Sequence, residues 1–178
     1  MPLPLLAALA SGLPQWGTKE ERKMEFLIIL FQSFMSFCAC VAFSVVFNAP
    51  KKELIYCGIS GFLGWFFYAV LSLSISPTMA TLISSALVTA FSRFASYHRQ
   101  APSTLYHIPG IMPMVPGTVV YNTMATALGG MILETYSNIL LGLKLAGAIG
   151  AGSILILALP YSFFEIIPRR KKKIKANP

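Results

Sequence analysis

Residues 105–133 read LYHIPGIMPMVPGTVVYNTMATALGGMIL, an apolar stretch that contains three prolines and four glycines. It is long enough to cross a hydrocarbon core of about 30 Å at about 1.5 Å per residue. Each proline lacks an amide hydrogen and clashes with the carbonyl four residues earlier, so the stretch cannot form one straight helix. In lipid, such irregular backbone survives only where protein packs around it or where it lines a wet cavity. The sequence therefore predicts a membrane helix that is broken between Pro109 and Gly117.

Four further apolar runs flank this stretch and predict an all-α integral membrane protein with about five transmembrane helices. The chain has 178 residues and is 56% hydrophobic. It is only 11% charged, whereas soluble domains are roughly one quarter charged. A transmembrane domain over residues 26–165 is predicted between an N-terminal interfacial or re-entrant segment, 1–25, and a basic cytoplasmic tail, 166–178. The predicted spans are residues 26–47, 54–75, 77–96, 105–133 and 139–164.

The distribution of basic residues predicts the orientation of the chain. Ten of the fourteen Lys and Arg, including the run from Arg169 to Lys175, lie on one side of the predicted spans. The other side has four. Because basic residues accumulate on the cytoplasmic side, we expect a cytoplasmic C-terminus and an external N-terminus. The basic run next to an apolar segment favours contact with membrane lipids over contact with nucleic acid.

Small and polar residues on the predicted helices are typical of helix packing within a membrane. The three cysteines lie in apolar stretches, which favours packing over a disulfide or a metal site. Arg93, near the end of the third span, is expected to snorkel to the interface. A hydroxyl stripe on that span leaves two interpretations, hydrogen bonding between helices or the wall of a polar pathway. The small-residue ridges and the stripe consist of Cys57, Ser60, Gly61, Gly64; Gly142, Ala146, Gly150; and Thr81, Ser84, Ser85, Ser92.

The broken helix is the candidate substrate path, although a purely structural kink is the alternative that the residues alone leave open. A half-helix that begins near Gly117 would direct its first amides, around Thr118 and Val119, toward a carboxylate. Glu134 is a weaker candidate for proton coupling, with an interfacial position as the alternative. No catalytic set, cofactor or metal site is expected. The candidate path residues are Pro109, Gly110, Pro113, Pro116, Gly117, Thr118, Tyr121 and Asn122.

The string PGIMPMVPG from Pro109 to Gly117, followed by Tyr121, resembles the signature of the threonine/serine exporter family (ThrE). From about residue 31 to 160 the chain is similar to the short, YjjB-like membrane subunit of that family. The resemblance includes the turn that begins at Asn48 and the Ala101-Pro102 pair before the broken segment. The first 25 residues and the basic tail lie outside it.

The resemblance implies one half of a ten-helix exporter in the bacterial cytoplasmic (inner) membrane, not an enzyme. The other half would be a second five-helix subunit of the same family with a cytosolic extension (YjjP-like). The family is associated with threonine and serine export, and its short-subunit branch also with succinate and related dicarboxylates. All these substrates carry a carboxylate. A structural or assembly subunit without its own substrate path is a further alternative.

Overall fold

The computed structural model describes residues 19–159, which form six α-helices and one 3₁₀ turn. Four of these helices, α1, α2, α3 and α6, are long and apolar enough to cross a membrane. The predicted all-α membrane fold is therefore confirmed. The basic tail and residues 1–18 lie outside the described residues. The elements are α1 Lys19–Val46, α2 Leu54–Ser72, α3 Pro77–Arg99, α4 Thr104–Ile111, the 3₁₀ turn Met112–Met114, α5 Gly117–Leu128 and α6 Ile132–Leu157.

The stretch 105–133 is divided into two short helices, α4 of 8 residues and α5 of 12 residues. Pro109 lies inside α4, so the irregular backbone is confined to residues 112–116 and is shorter than the predicted break. The chain then turns at residues 129–131, where Gly130 has a φ of 71° that glycine tolerates without strain.

Helix α6 begins at Ile132, whereas the sequence placed a polar loop at residues 134–138 and a helix start at 139. The polar side chains of this segment are compatible with a helix because they bond within it. The Thr135 hydroxyl donates to the Met131 carbonyl (2.8 Å), and the Ser137 hydroxyl donates to the Glu134 carbonyl (2.9 Å). The helix start that the polar residues predicted, at residue 139, is therefore wrong.

The predicted ridge on α2 is a buried packing face. A Cβ at Gly61 would collide with the Cys40 side chain on α1. The Ser36 hydroxyl of α1 donates to the Gly61 carbonyl at 2.9 Å. On another side of α2, a Cβ at Gly64 would lie 2.8 Å from Val88 of α3. Glycine at these positions lets the three helices approach closely, which supplies packing contacts that lipid cannot.

The second predicted ridge, Gly142 to Gly150, is not the face that packs against α3. That contact uses Gly152, where a Cβ would collide with the Leu82 carbonyl and the Ser85 hydroxyl. A Cβ at Gly150 would meet no atom of the described residues within 4 Å. Both faces carry small residues at helical spacing, so the sequence did not distinguish them.

Hydroxyls of the α3 stripe are buried and donate to backbone carbonyls. Thr81 and Ser92 each donate to the carbonyl four residues earlier, and Ser84 donates to the Gly64 carbonyl of α2. These bonds support the packing interpretation. Arg93 is also buried. Its guanidinium donates to the Leu157 carbonyl (2.8 Å) and to the Leu159 carbonyl at the end of α6, where a cation is favourable.

Candidate functional site

The break between α4 and α5 begins with the 3₁₀ turn and continues through an extended residue. Val115 has φ −62° and ψ 127°, and Pro116 has φ −76° and ψ 62°. On the α4 side of the break, Pro109, Gly110 and Met114 are buried. On the α5 side, Gly117 is exposed. The break therefore connects a buried half-helix to an exposed one.

Each of the three prolines removes the amide that an α-helix would direct at the carbonyl four residues earlier. The carbonyls concerned are those of Leu105, Pro109 and Met112, and each accepts a hydrogen bond from another donor. Leu105 O accepts from the Cys57 thiol of α2, with an S···O distance of 3.3 Å. Pro109 O accepts from the Cys40 thiol of α1 at 2.9 Å. Met112 O accepts from the Val115 amide at 3.2 Å.

These two cysteines are functional candidates, although the sequence pattern indicates only small packing residues. Both thiols are fully buried, whereas Cys38 of α1 is exposed. Each cysteine is remote in sequence from the carbonyl that it contacts, so nothing in the local pattern pairs them. A signal was nevertheless present: a proline inside an apolar helix frees a carbonyl, which a donor from a neighbouring helix can satisfy.

Gly110 places the buried half-helix directly against α2 and α3. A Cβ at this position would collide with the Ser60 hydroxyl and lie 2.9 Å from Val88. Ser60 is fully buried, and its hydroxyl has no hydrogen-bond partner among the described residues. The glycine of the Pro109-Gly110 pair is thus required for close approach rather than for an unusual φ.

The candidate ligands of α5 lie apart from this buried region. Thr118, Tyr121 and Asn122 are exposed, and Tyr121 has a relative exposure of 73%. Every residue of α5 is exposed or half-exposed. Glu134 is also exposed, in the first turn of α6. The predicted site residues therefore form two groups, a buried one at residues 109 and 110 and an exposed one from 117 onward, with Pro113 and Pro116 half-buried between them.

Of the two α5 amides that the sequence indicated for a carboxylate, those of Thr118 and Val119, the Val119 amide already has an acceptor. The amides of Val119 and Val120 both point to the Pro116 carbonyl, at 3.1 Å each. The Gly117 amide donates to the Val115 carbonyl at 2.7 Å. The Thr118 hydroxyl and the side chains of Tyr121 and Asn122 are consequently the stronger candidates for binding polar groups.

A polar cluster that the sequence did not predict joins the α1–α2 loop to α3 and α4. Arg99 Nη2 lies 2.7 Å from Glu53 Oε1, and the Tyr106 hydroxyl donates to Glu53 Oε2 at 2.7 Å. The Arg99 guanidinium stacks 5.0 Å from the Tyr56 ring centre. The hydrogen bond from Arg99 holds the pKa of the Glu53 carboxyl below its usual range. The cluster fixes the start of the buried half-helix, since Tyr106 belongs to α4.

One further contact and one recess lie beside α4. His107 Nε2 lies 3.2 Å from the Ser153 hydroxyl and joins α4 to α6. A recess of about 190 Å³ lies between the end of α1 and α4, and its lining is mostly apolar. It is bordered by Ser44, Phe47, Ala49, Pro102, Thr104, Leu105, Ile108 and Pro109.

Comparison with known proteins identifies the family. Residues 32–159, which include every described helix from α2 onward, match the family model described as Threonine/Serine exporter, ThrE. A threonine/serine exporter of Corynebacterium glutamicum is 28% identical over 114 residues. The match covers 64% of this chain and 23% of that relative, so the chain spans about a quarter of its length. No solved structure matches the chain. The chain is a multi-pass membrane protein that belongs to the threonine/serine exporter family.

Proposed function

We propose that the chain is a membrane subunit of an exporter for small carboxylate-bearing metabolites, with threonine and serine as its substrates. The observation that carries the proposal is the family match, because it extends over the whole broken helix and the helices that hold it. Membership of an exporter family also argues for transport rather than catalysis.

Helix α5 provides the chemistry for such substrates. Its exposed face presents the Thr118 hydroxyl, the Tyr121 phenol and the Asn122 amide within two helical turns of the break. Threonine and serine carry a hydroxyl, an ammonium and a carboxylate, which these groups bind by hydrogen bonds. The N-terminal end of α5 is also the positive end of its dipole, which favours the carboxylate.

The exposure of this face supports a role as one subunit of a larger exporter. In lipid a polar side chain such as Asn122 needs a partner or a wet cavity. The threonine/serine exporter of Corynebacterium glutamicum is about four times as long as the part of it that matches this chain. We propose that a second five-helix subunit of the same family, YjjP-like and with a cytosolic extension, covers α5 and the first half of α6. The polar face would then line a path between the two subunits.

The proposed location is the bacterial inner membrane, with the C-terminus in the cytoplasm. This orientation places the polar cluster of Glu53, Arg99 and Tyr106 on the cytoplasmic side, and α4 begins there. The exposed turn between α5 and α6 would then face outward. An exporter accepts its substrate from the cytoplasm, so the broken helix would run from the accepting side toward the releasing side.

An export assay in cells tests the proposal. Cells that lack the family's genes are loaded with a threonine dipeptide, and threonine in the medium is measured with this chain, its partner, both or neither. We expect rapid export only when both are present. Export at full rate with this chain alone would contradict the subunit role, and no export with both would contradict the function.

The same cells distinguish the substrates and the structural alternative. Succinate release that depends on the chain, without threonine release, would favour the dicarboxylate branch. Pro116→Ala and Asn122→Ala are compared at equal levels of protein in the membrane. Lost export with normal assembly supports a direct role of the broken helix, whereas full export in both variants favours a structural subunit.

A further inference from the structure

The two buried thiols occupy a special position in the fold because they replace the amides that prolines remove. Pro109 leaves the Leu105 carbonyl without its helical donor, and Cys57 donates to it at 3.3 Å. Pro113 does the same to the Pro109 carbonyl, and Cys40 donates to that oxygen at 2.9 Å. Each bond connects α4 to a different neighbouring helix, α2 in the first case and α1 in the second.

We propose that Cys40 and Cys57 are positioning residues of the transport path, whose thiols hold the half-helix α4 against α1 and α2 at the two carbonyls freed by proline. The proposal deepens the proposed function and rests on it for its consequence in transport. Both cysteines have 0% exposure, so the two donors are shielded from water in this conformation. Removal of a thiol takes away a donor to a carbonyl that has already lost its helical amide, a loss that lipid-embedded proteins avoid.

The choice of a thiol is itself informative. A thiol is a weak donor, so each bond positions α4 without fixing it as strongly as an amide or a hydroxyl would. The space is also limited, because a Cβ at Gly61 would collide with the Cys40 side chain. The pair thus combines close helix packing with hydrogen bonds to the two carbonyls that prolines deprive of a helical amide.

Infrared spectroscopy tests the bonds without disturbing them. Purified Cys38→Ala protein retains only Cys40 and Cys57, and its S–H stretching bands are compared with that of an alkanethiol in a hydrocarbon solvent. We expect both bands at lower frequency than the reference, as for thiols that donate to carbonyls. Bands at the reference frequency would overturn the proposal, and this result does not depend on any transport activity.

A double-mutant cycle tests which carbonyl each thiol serves. Pro109→Ala restores a helical amide for the Leu105 carbonyl, since residue 109 lies inside α4. We expect Cys57→Ala to lower the midpoint of thermal unfolding in the native background and to have at most half that effect in Pro109→Ala. Cys38→Ala, which removes an exposed thiol, should have the same effect in both backgrounds. Equal effects of Cys57→Ala in the two backgrounds would overturn the assignment.

Transport provides the functional test at matched membrane levels. We expect Cys57→Ala and Cys40→Ala to lower threonine export by about threefold to tenfold, the range for loss of one modest buried hydrogen bond. Cys57→Ser and Cys40→Ser, which keep a donor, should recover most of the rate, and Cys38→Ala should have no effect. Equal rates for the Ala and Ser variants would contradict a positioning role. No export by the wild-type protein with its partner would instead refute the proposed function and leave the infrared result standing.

Discussion

The two halves of the broken helix lie in opposite environments. Helix α4 is packed against α1, α2 and α3 through small residues and through thiols that donate to its carbonyls. Helix α5 packs against α6, and all of its residues are exposed or half-exposed. A short proline-rich segment connects them. The first part of the signature makes one half-helix fit a compact core, and its second part leads into a half-helix that the other described residues leave exposed.

The contact between α3 and α6 should be sensitive to a single added methyl group. Gly152→Ala places a Cβ against the Leu82 carbonyl and the Ser85 side chain, so α3 and α6 must separate. Overpacking of this kind costs about 1–3 kcal/mol, and backbone cannot move aside as a side chain can. We expect a clear drop in the midpoint of thermal unfolding in detergent.

Gly150→Ala on the same helix is the matched control, since no described atom lies within 4 Å of its Cβ. There the substitution should be neutral or stabilising by up to about 1 kcal/mol through helix propensity. Equal destabilisation by the two variants would show that the difference between the two faces of α6 is not real.

The polar cluster at the start of α4 should make stability depend on pH. Because the pKa of Glu53 is lowered in the folded chain, its contribution is present above the ordinary carboxyl pKa of about 4.3 and is lost as the pH falls through the lower, folded value. Glu53→Gln should cost about 1–3 kcal/mol at pH 7, the range for hydrogen bonds to a charged group. It should also flatten the fall in stability in acid. Thermal unfolding of both proteins from pH 7 to pH 3 measures this, and parallel profiles would contradict it.

Substitution of two buried serines, Ser36 and Ser60, should have different effects on stability. The Ser36 hydroxyl donates to the Gly61 carbonyl across two helices, whereas the Ser60 hydroxyl has no partner among the described residues. Ser36→Ala should cost about 0.5–1.5 kcal/mol, the net worth of a typical hydrogen bond. Ser60→Ala should be neutral or slightly stabilising. If Ser60→Ala is the more damaging in thermal unfolding, its hydroxyl has a partner outside the described residues.

The exposed region should tolerate substitution as far as folding is concerned. Asn122→Ala removes an exposed side chain, so the stability of the isolated chain should change by no more than about 0.5 kcal/mol. Export with the partner should nevertheless fall. A large loss of stability in the isolated chain would show that Asn122 serves the fold and would remove the distinction between the two half-helices.

The membrane fold and the broken helix followed from simple physical rules. Long apolar runs need helices in lipid, and three prolines cannot occupy one straight helix. The start of α6 did not follow, because hydroxyl groups that look like loop residues bond within the helix at Thr135 and Ser137. The sequence could not predict the tertiary contacts either. Nothing local to Cys57 indicates that it contacts Leu105, since that contact depends on how two helices pack.

Cysteine accessibility at the exposed face of α5 tests whether this helix lines a substrate path. Asn122→Cys is made together with Cys38→Ala, which leaves the native thiols buried, and the protein is produced in cells with its partner. We expect a water-soluble maleimide to label residue 122 and threonine to slow the labelling. If residue 122 does not react, or reacts at the same rate with and without threonine, serine and succinate, α5 does not line the path.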